Sequence, residues 1–170
     1  GGAVEIGLGE SSQYLSGLLL AAPQAKAPMT IEVCGTHVVS WPYIGLTLQN
    51  MHDFGVRFDV SIRDRLDAEW KPADWREIRA VRPGLIRFRV RPSVYKAGNY
   101  TVEGDWSGAS YLLAAGALGK RPVRVEGLRS DTMQGDRAMR GILERMGAKL
   151  EEGDNFLTVY PSRLRGVDVD

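Results

Sequence analysis

The chain has 170 residues, 44% of them hydrophobic and 25% charged, and a formal net charge of +1. Lys and Arg number 22 against 21 Asp and Glu, which excludes a basic nucleic-acid tail and an acidic solvating tail. The longest apolar run, Leu18-Leu19-Leu20-Ala21-Ala22, is far short of the ~20 residues a membrane-spanning helix needs. A single cysteine, Cys34, excludes an internal disulfide and any cysteine-based metal site, and with two histidines, His37 and His52, little remains for zinc. Cysteine usage points to a reducing, cytoplasmic compartment. Gly1-Gly2 carries no signal-peptide features. The reading is of a processed chain or a piece of a longer one.

Residues 11–22 read as a helix, with Ser11 or Ser12 as N-cap and Tyr14, Leu15, Leu18, Leu19 and Ala22 as its apolar stripe. Met29 to Gly35 alternates as a strand. A second helix runs from about Tyr43 to Phe54 and ends at Gly55 as a left-handed cap, followed by a strand over Val56 to Val60. Residues 61–84 are charged and irregular, with Trp70 and Trp75, and a short helix is expected from Pro72-Ala73-Asp74 to about Ala80. Leu85 to Val90 is a strand, and Tyr100 to Gly104 is extended. Next come a helix over 106–118, a strand over Val123 to Gly127, and a helix from Gly135 to Met146 closed by Gly147. Strands over Ala148 to Glu152 and Phe156 to Tyr160 flank a Gly153-Asp154-Asn155 turn.

The second half repeats the first. Leu18-Leu19-Leu20-Ala21-Ala22 matches Tyr111-Leu112-Leu113-Ala114-Ala115 at a spacing of 93 residues. Ile31 to Gly35 matches Val123 to Gly127, and Phe54 to Phe58 matches Met146 to Leu150, both at 92. The shared unit is helix, strand, helix, hairpin, and the 61–84 stretch sits inside the first hairpin. Stacked copies of one supersecondary unit, helices packed on small mixed sheets, give an α/β (α+β) fold.

Three polar helix starts stand out. Ser11-Ser12-Gln13 offers hydroxyl and amide donors beside unsatisfied backbone N–H groups, a setting for an anion or for simple capping. Ser40-Trp41-Pro42-Tyr43 offers the same choice, with Tyr43 able to stack or donate. Ser130 to Asp136 is the matching loop of the second copy. Arg87, Arg89 and Arg91 share one side of a strand, facing an acidic partner or solvent. Trp70 and Trp75 either anchor a partner or pack the insertion down. His37, beyond a strand end, and Cys34, within a strand, read as ordinary surface or packed residues. No catalytic triad order, Walker loop, GxGxxG or metal cluster is present in the sequence.

The strings themselves carry a resemblance. Ser11-Ser12-Gln13-Tyr14-Leu15 with Ala21-Ala22-Pro23, then Ser40-x-Pro42-Tyr43-Ile44 with Thr47-Leu48 and Phe54-Gly55-Val56, resemble the 5-enolpyruvylshikimate-3-phosphate (EPSP) synthase family. Tyr100-x-Val102-Glu103-Gly104-Asp105-x-Ser107-x-Ala109-Ser110-Tyr111, Ser130-x-x-Met133-Gln134-Gly135-Asp136 and Met146-Gly147-Ala148 follow in the same order. The resemblance spans nearly the whole chain apart from 61–84, where the family usually has a short hairpin turn.

The resemblance implies two domains built from repeated βαβαββ-type units, with residues 1–101 in the shikimate-3-phosphate-binding domain and 102–170 beginning the second. It implies transfer of the enolpyruvyl group of phosphoenolpyruvate to the 5-hydroxyl of shikimate 3-phosphate, in aromatic amino-acid biosynthesis, without metal or organic cofactor. Ser11, Ser12, Gln13, Ser40 and Tyr43 are then shikimate 3-phosphate ligands. The family's phosphoenolpyruvate ligands, general acid/base groups and catalytic Asp lie outside these residues, and neither Asp168 nor Asp170 matches that Asp. The chain therefore reads as an internal piece of a longer enzyme, inactive alone and weak in shikimate 3-phosphate affinity, with no nucleic-acid or membrane partner and its oligomeric state open. The rival readings are an enolpyruvyl transferase acting on UDP-N-acetylglucosamine, against which Ser-Ser-Gln argues, and a non-catalytic repeat-built interaction module.

Overall fold

A computed structural model describes residues 1–169, which divide into two compact units, 1–99 and 100–169. In unit 1 the order is β1 Gly2–Leu8, α1 Gln13–Ala21, β2 Met29–Val38, α2 Trp41–Asp53, β3 Phe58–Ile62, β4 Lys71–Pro72 and β5 Ile86–Val90. The sheet runs β1-β2-β5-β3-β4. β1 and β2 are parallel, as a strand–helix–strand crossover through α1 requires, and the other pairs are antiparallel. Unit 2 comprises α3 Trp106–Leu118, β6 Val123–Glu126, α4 Ala138–Arg145, β7 Lys149–Gly153 and β8 Phe156–Tyr160. Its sheet, β6-β8-β7, is antiparallel throughout.

The repeat is visible in the strand pairing, with a hairpin register that differs by two residues between the copies, since Phe58, the match of Leu150, lies opposite Val90. In unit 1 the central strand places Phe88 between Ile31 and Val60, and in unit 2 Val159 lies between Val123 and Leu150. Both second helices end alike. Gly55 and Gly147 adopt φ of 76° and 92°, where a side chain is strained. The Val56 N–H reaches Met51 O and the Gly55 N–H reaches His52 O, at 2.8 and 2.9 Å. The Ala148 N–H reaches Leu143 O and the Gly147 N–H reaches Glu144 O, both at 2.9 Å. This paired closure satisfies the last carbonyls of each helix. It also takes up Val56, so β3 begins at Phe58 rather than at the expected Val56.

Three further differences from the sequence reading have local causes. β1 is an element that reading passes over, because Gly2 and Gly7 dilute the alternation that points Val4, Ile6 and Leu8 one way. The helix expected over 72–80 is instead the two-residue β4, paired to Ser61 and Ile62, and one turn closed by Glu77 N–H to Asp74 O. Residues 74–80 carry too few apolar residues at helical spacing to repay nucleation. The helix expected from Gly135 opens with a 3-10 turn over Gly135–Arg137 and becomes α-helical only at Ala138.

In unit 1 Leu15 and Leu19 of α1, Ile44 and Leu48 of α2, and Ile31 and Phe88 of the sheet are all fully buried and form its core. In unit 2 α3 buries Trp106, Ala109, Leu113 and Ala117 at helical spacing, in one cluster with Leu143, Leu157 and Val159. Gly116 sets the approach of α3 to the sheet. A Cβ there would meet Val123 Cβ at 2.9 Å and Val159 O at 3.1 Å. Gly116→Ala is therefore expected to destabilise unit 2 by about 1–3 kcal/mol, although alanine is the better helix former. Urea unfolding monitored on unit 2 measures this, and a gain in stability would contradict the close packing. Along the outer side of α3, Tyr111, Leu112 and Leu118 are exposed, so the helix is apolar nearly all round.

Candidate functional site

The five residues expected at a ligand site come together in unit 1. Ser11, Ser12 and Gln13 open α1, Ser40 and Tyr43 open α2, and all five line one cleft of about 480 Å³. Two helix N-termini thus face the same space, each with the positive end of its dipole. Ser16, Leu46, Thr47 and Asn50 complete the wall. No Lys, Arg, Asp, Glu or His lines the cleft, so whatever positive potential it has comes from the backbone.

At the start of α1 capping falls to Ser11, whose Oγ accepts from the Gln13 N–H at 3.1 Å. Ser12 is 4% exposed, and its side chain makes no capping bond. At the start of α2, Ser40 sits at φ 55° and ψ 38°, the one non-glycine residue with positive φ among the described residues. That conformation costs a non-glycine residue about 1–2 kcal/mol. It directs the chain into Pro42 and closes the first turn through Tyr43 N–H to Ser40 O at 3.2 Å. Ser40→Gly is expected to stabilise unit 1 by about 1 kcal/mol. Ser40→Ala keeps the strain and loses the hydroxyl. Thermal unfolding of the two variants separates backbone strain from side-chain chemistry.

A hydroxyl pair holds the two helices in this arrangement. Thr47 Oγ1 donates to Tyr43 O at 2.9 Å. Its single proton is then used, so Ser16 Oγ is the donor in the 2.8 Å bond between the two hydroxyls. Ser16, Thr47 and Asn50 are not among the expected ligand residues, although Thr47 stands in one of the motif strings. Their signal is helical spacing: Ser16 follows Ser12 by four residues, and Thr47 and Asn50 follow Tyr43 by four and seven.

The matching helix start in unit 2 is filled by the chain itself. Asp105 accepts from the Ser107 and Gly108 N–H groups at 3.0 and 2.9 Å. Gln134 Oε1 accepts from the Trp106 N–H at 2.9 Å, and Gln134 Nε2 donates to Gly104 O at 2.8 Å. Gln134, one of the motif residues, thus ties two loops and occupies the donors an anion would need. Nearby, the Arg129 guanidinium hydrogen-bonds Asp131 and holds its carboxyl below the usual range. The third polar loop is therefore internally paired.

The remaining candidates lie elsewhere. His37 Nε2 donates to Gly9 O at 3.1 Å, and its Nδ1 lies 3.0 Å from Thr36 Oγ1. Cys34 is half-buried in β2 opposite Gly7. Arg87 lies over the Trp70 ring and Arg91 pairs with Asp59, while Arg89 is exposed. Trp75 is buried against Phe58 and His52. No group of three or more His, Cys, Asp or Glu among the described residues is placed to hold a metal, and no helix is long and apolar enough to cross a membrane.

Comparison with known proteins gives a consistent set of matches. Residues 77–170 match the family model described as EPSP synthase (3-phosphoshikimate 1-carboxyvinyltransferase). The chain is 41% identical over 170 residues to the 3-phosphoshikimate 1-carboxyvinyltransferase of Mannheimia haemolytica, covering all of this chain and 34% of that protein. The same enzyme of Haemophilus influenzae strain PittEE is 37% identical over 170 residues, with the same coverage. The chain thus spans about a third of the length of the curated relatives it matches. Among solved structures, the enolpyruvyl transferase NikO from Streptomyces tendae matches with a TM-score of 0.53 at 15% identity, over 94% of this chain and 34% of that one. That likeness is one of fold. With the family model covering more than half the chain, these 170 residues belong to the EPSP synthase family.

Proposed function

We propose that the chain is part of a 3-phosphoshikimate 1-carboxyvinyltransferase and that the unit 1 cleft is its shikimate 3-phosphate half-site. The parent enzyme transfers the enolpyruvyl group of phosphoenolpyruvate to the 5-hydroxyl of shikimate 3-phosphate, in the cytoplasm. In this reading Ser11, Ser12 and Gln13 bind shikimate 3-phosphate, Ser40 donates to its phosphate and Tyr43 lines the site. One observation carries it: the five residues converge from two helix N-termini on one cleft. Backbone donors and hydroxyls suit a phosphorylated polyol, the hydroxyls because they both donate and accept.

The same lining limits the chemistry. Enolpyruvyl transfer needs a group that gives and takes protons, and the cleft offers only serine, threonine and amide groups and the Tyr43 phenol. We therefore place the acid/base groups and the cations that hold two phosphorylated substrates outside these 170 residues. Two measurements test the reading. Titration of the 15N-labelled chain with shikimate 3-phosphate is expected to shift amides around Ser11–Ser16 and Ser40–Thr47, saturating only at high ligand concentration. Shifts centred elsewhere would sink the site. No turnover is expected with both substrates present, and enolpyruvyl transfer by the 170 residues alone would overturn the division of labour.

A further inference from the structure

Unit 1 has a second and larger cleft, of about 870 Å³, formed where residues 72–82 fold against the end of β3 and the start of β5. Its volume falls in the range of small-molecule sites. Its apolar lining includes Ile62, Ile78, Val81 and Leu85. Three guanidiniums, Arg63, Arg79 and Arg82, and two carboxylates, Asp74 and Glu77, complete the polar lining.

The cleft is held in shape from several sides. Trp41 Nε1 donates to Ile78 O at 3.1 Å, fixing the far wall to the start of α2. Arg63 Nε donates to Gly84 O at 2.7 Å while its guanidinium lies 4.3 Å from the centre of the Trp70 ring. Asp74 is committed to its own turn, accepting from the Arg76 N–H at 3.0 Å with the Arg76 guanidinium at 3.6 Å. Arg79 and Arg82 are exposed, and neither is engaged by a carboxylate among the described residues. Glu77 is likewise unpaired. The lining therefore carries one more cation than anions, and its two uncommitted guanidiniums present forks that match a carboxylate.

We propose that this cleft is a second ligand site, taking a small organic monocarboxylate whose apolar body rests on Ile78, Val81 and Leu85. The carboxylate lies between Arg79 and Arg82. Glu77 disfavours ligands with a second negative charge. The proposal is independent of the reading of the first cleft.

The test is a 15N amide-shift titration with phenylacetate at neutral pH, alongside the uncharged phenylacetamide. Saturable shifts at residues 62–63 and 72–85 are expected. Phenylacetamide is expected to bind about tenfold more weakly, and an Arg79→Gln/Arg82→Gln double variant to weaken phenylacetate by a similar factor. Both arginines are exposed, so the variant should keep its fold, which its remaining amide spectrum reports. The phenylacetamide comparison uses the unaltered chain and stands whatever the variant does. Shifts that do not saturate or lie outside these residues would overturn the proposal. So would equal affinity for acid and amide, or unchanged binding by a folded double variant.

Discussion

Ser11→Asp is expected to make unit 1 more stable and to remove its affinity for shikimate 3-phosphate. Unit 2 supplies the precedent. There Asp105 and Gln134 together satisfy the Trp106, Ser107 and Gly108 N–H groups at the start of α3. At the start of α1 the side-chain acceptor is Ser11 Oγ, bonded to the Gln13 N–H alone. A carboxylate at position 11 keeps that bond and adds a negative charge to the helix start, worth about 0.5 kcal/mol. For a unit of this size that raises the midpoint of thermal unfolding by roughly 2–4 °C. A bound phosphate then meets a fixed like charge with no cation on the cleft wall to offset it. At about 4–5 Å and a surface-like dielectric the repulsion is roughly 3–4 kcal/mol, more than a hundredfold in affinity. Thermal unfolding and an amide-shift titration on one sample read both effects. A higher midpoint with unchanged affinity would mean that Ser11 only caps the helix.

The contrast between the two helix starts also marks where the sequence is legible. The repeat can be read because it rests on short-range features: an apolar Leu-Leu-Ala-Ala run on a helix, and Gly55 and Gly147 at positions that need positive φ. Five of the residues lining the first cleft are named as ligands by motif strings at two helix starts. Ser16 and Asn50 are not, and Thr47 stands in a motif string without being marked as a ligand, because each looks like an ordinary polar helix residue until the face it shares with Ser12 or Tyr43 is drawn. The parallel strand β1 is obscured by glycine. The second cleft has no local signature, because its walls come from segments up to 23 residues apart, brought together by side chains with no fixed spacing. The roles of Trp70 and Trp75 are of this kind too. A tryptophan in a charged loop has the same local pattern whether it meets a partner or its own sheet, and only tertiary packing decides.

Here the packing makes Trp75 the anchor of the insertion, and Trp75→Ala is expected to detach it. Trp75 is 7% exposed, with its ring centre 6.2 Å from both Phe58 and His52 and the Arg76 guanidinium 4.2 Å from it. Truncating a buried tryptophan costs about 3–5 kcal/mol. For a unit of 99 residues this is a large share of a total of roughly 5–15 kcal/mol. Trp70 is held differently. It is half-buried, with Arg63 and Arg87 at 4.3 and 4.6 Å from its ring centre, so Trp70→Ala should cost only about 1–2 kcal/mol. The order of the two losses in urea unfolding is the first check. The second is limited proteolysis: in Trp75→Ala the 63–84 segment should be cut faster under native conditions, while unit 2 keeps its resistance. The wall of the second cleft is carried by the same segment, so phenylacetate shifts at 72–85 should vanish together with the protection. Stability within about 1 kcal/mol of the parent chain would instead make Trp75 a residue that this chain does not itself need for folding.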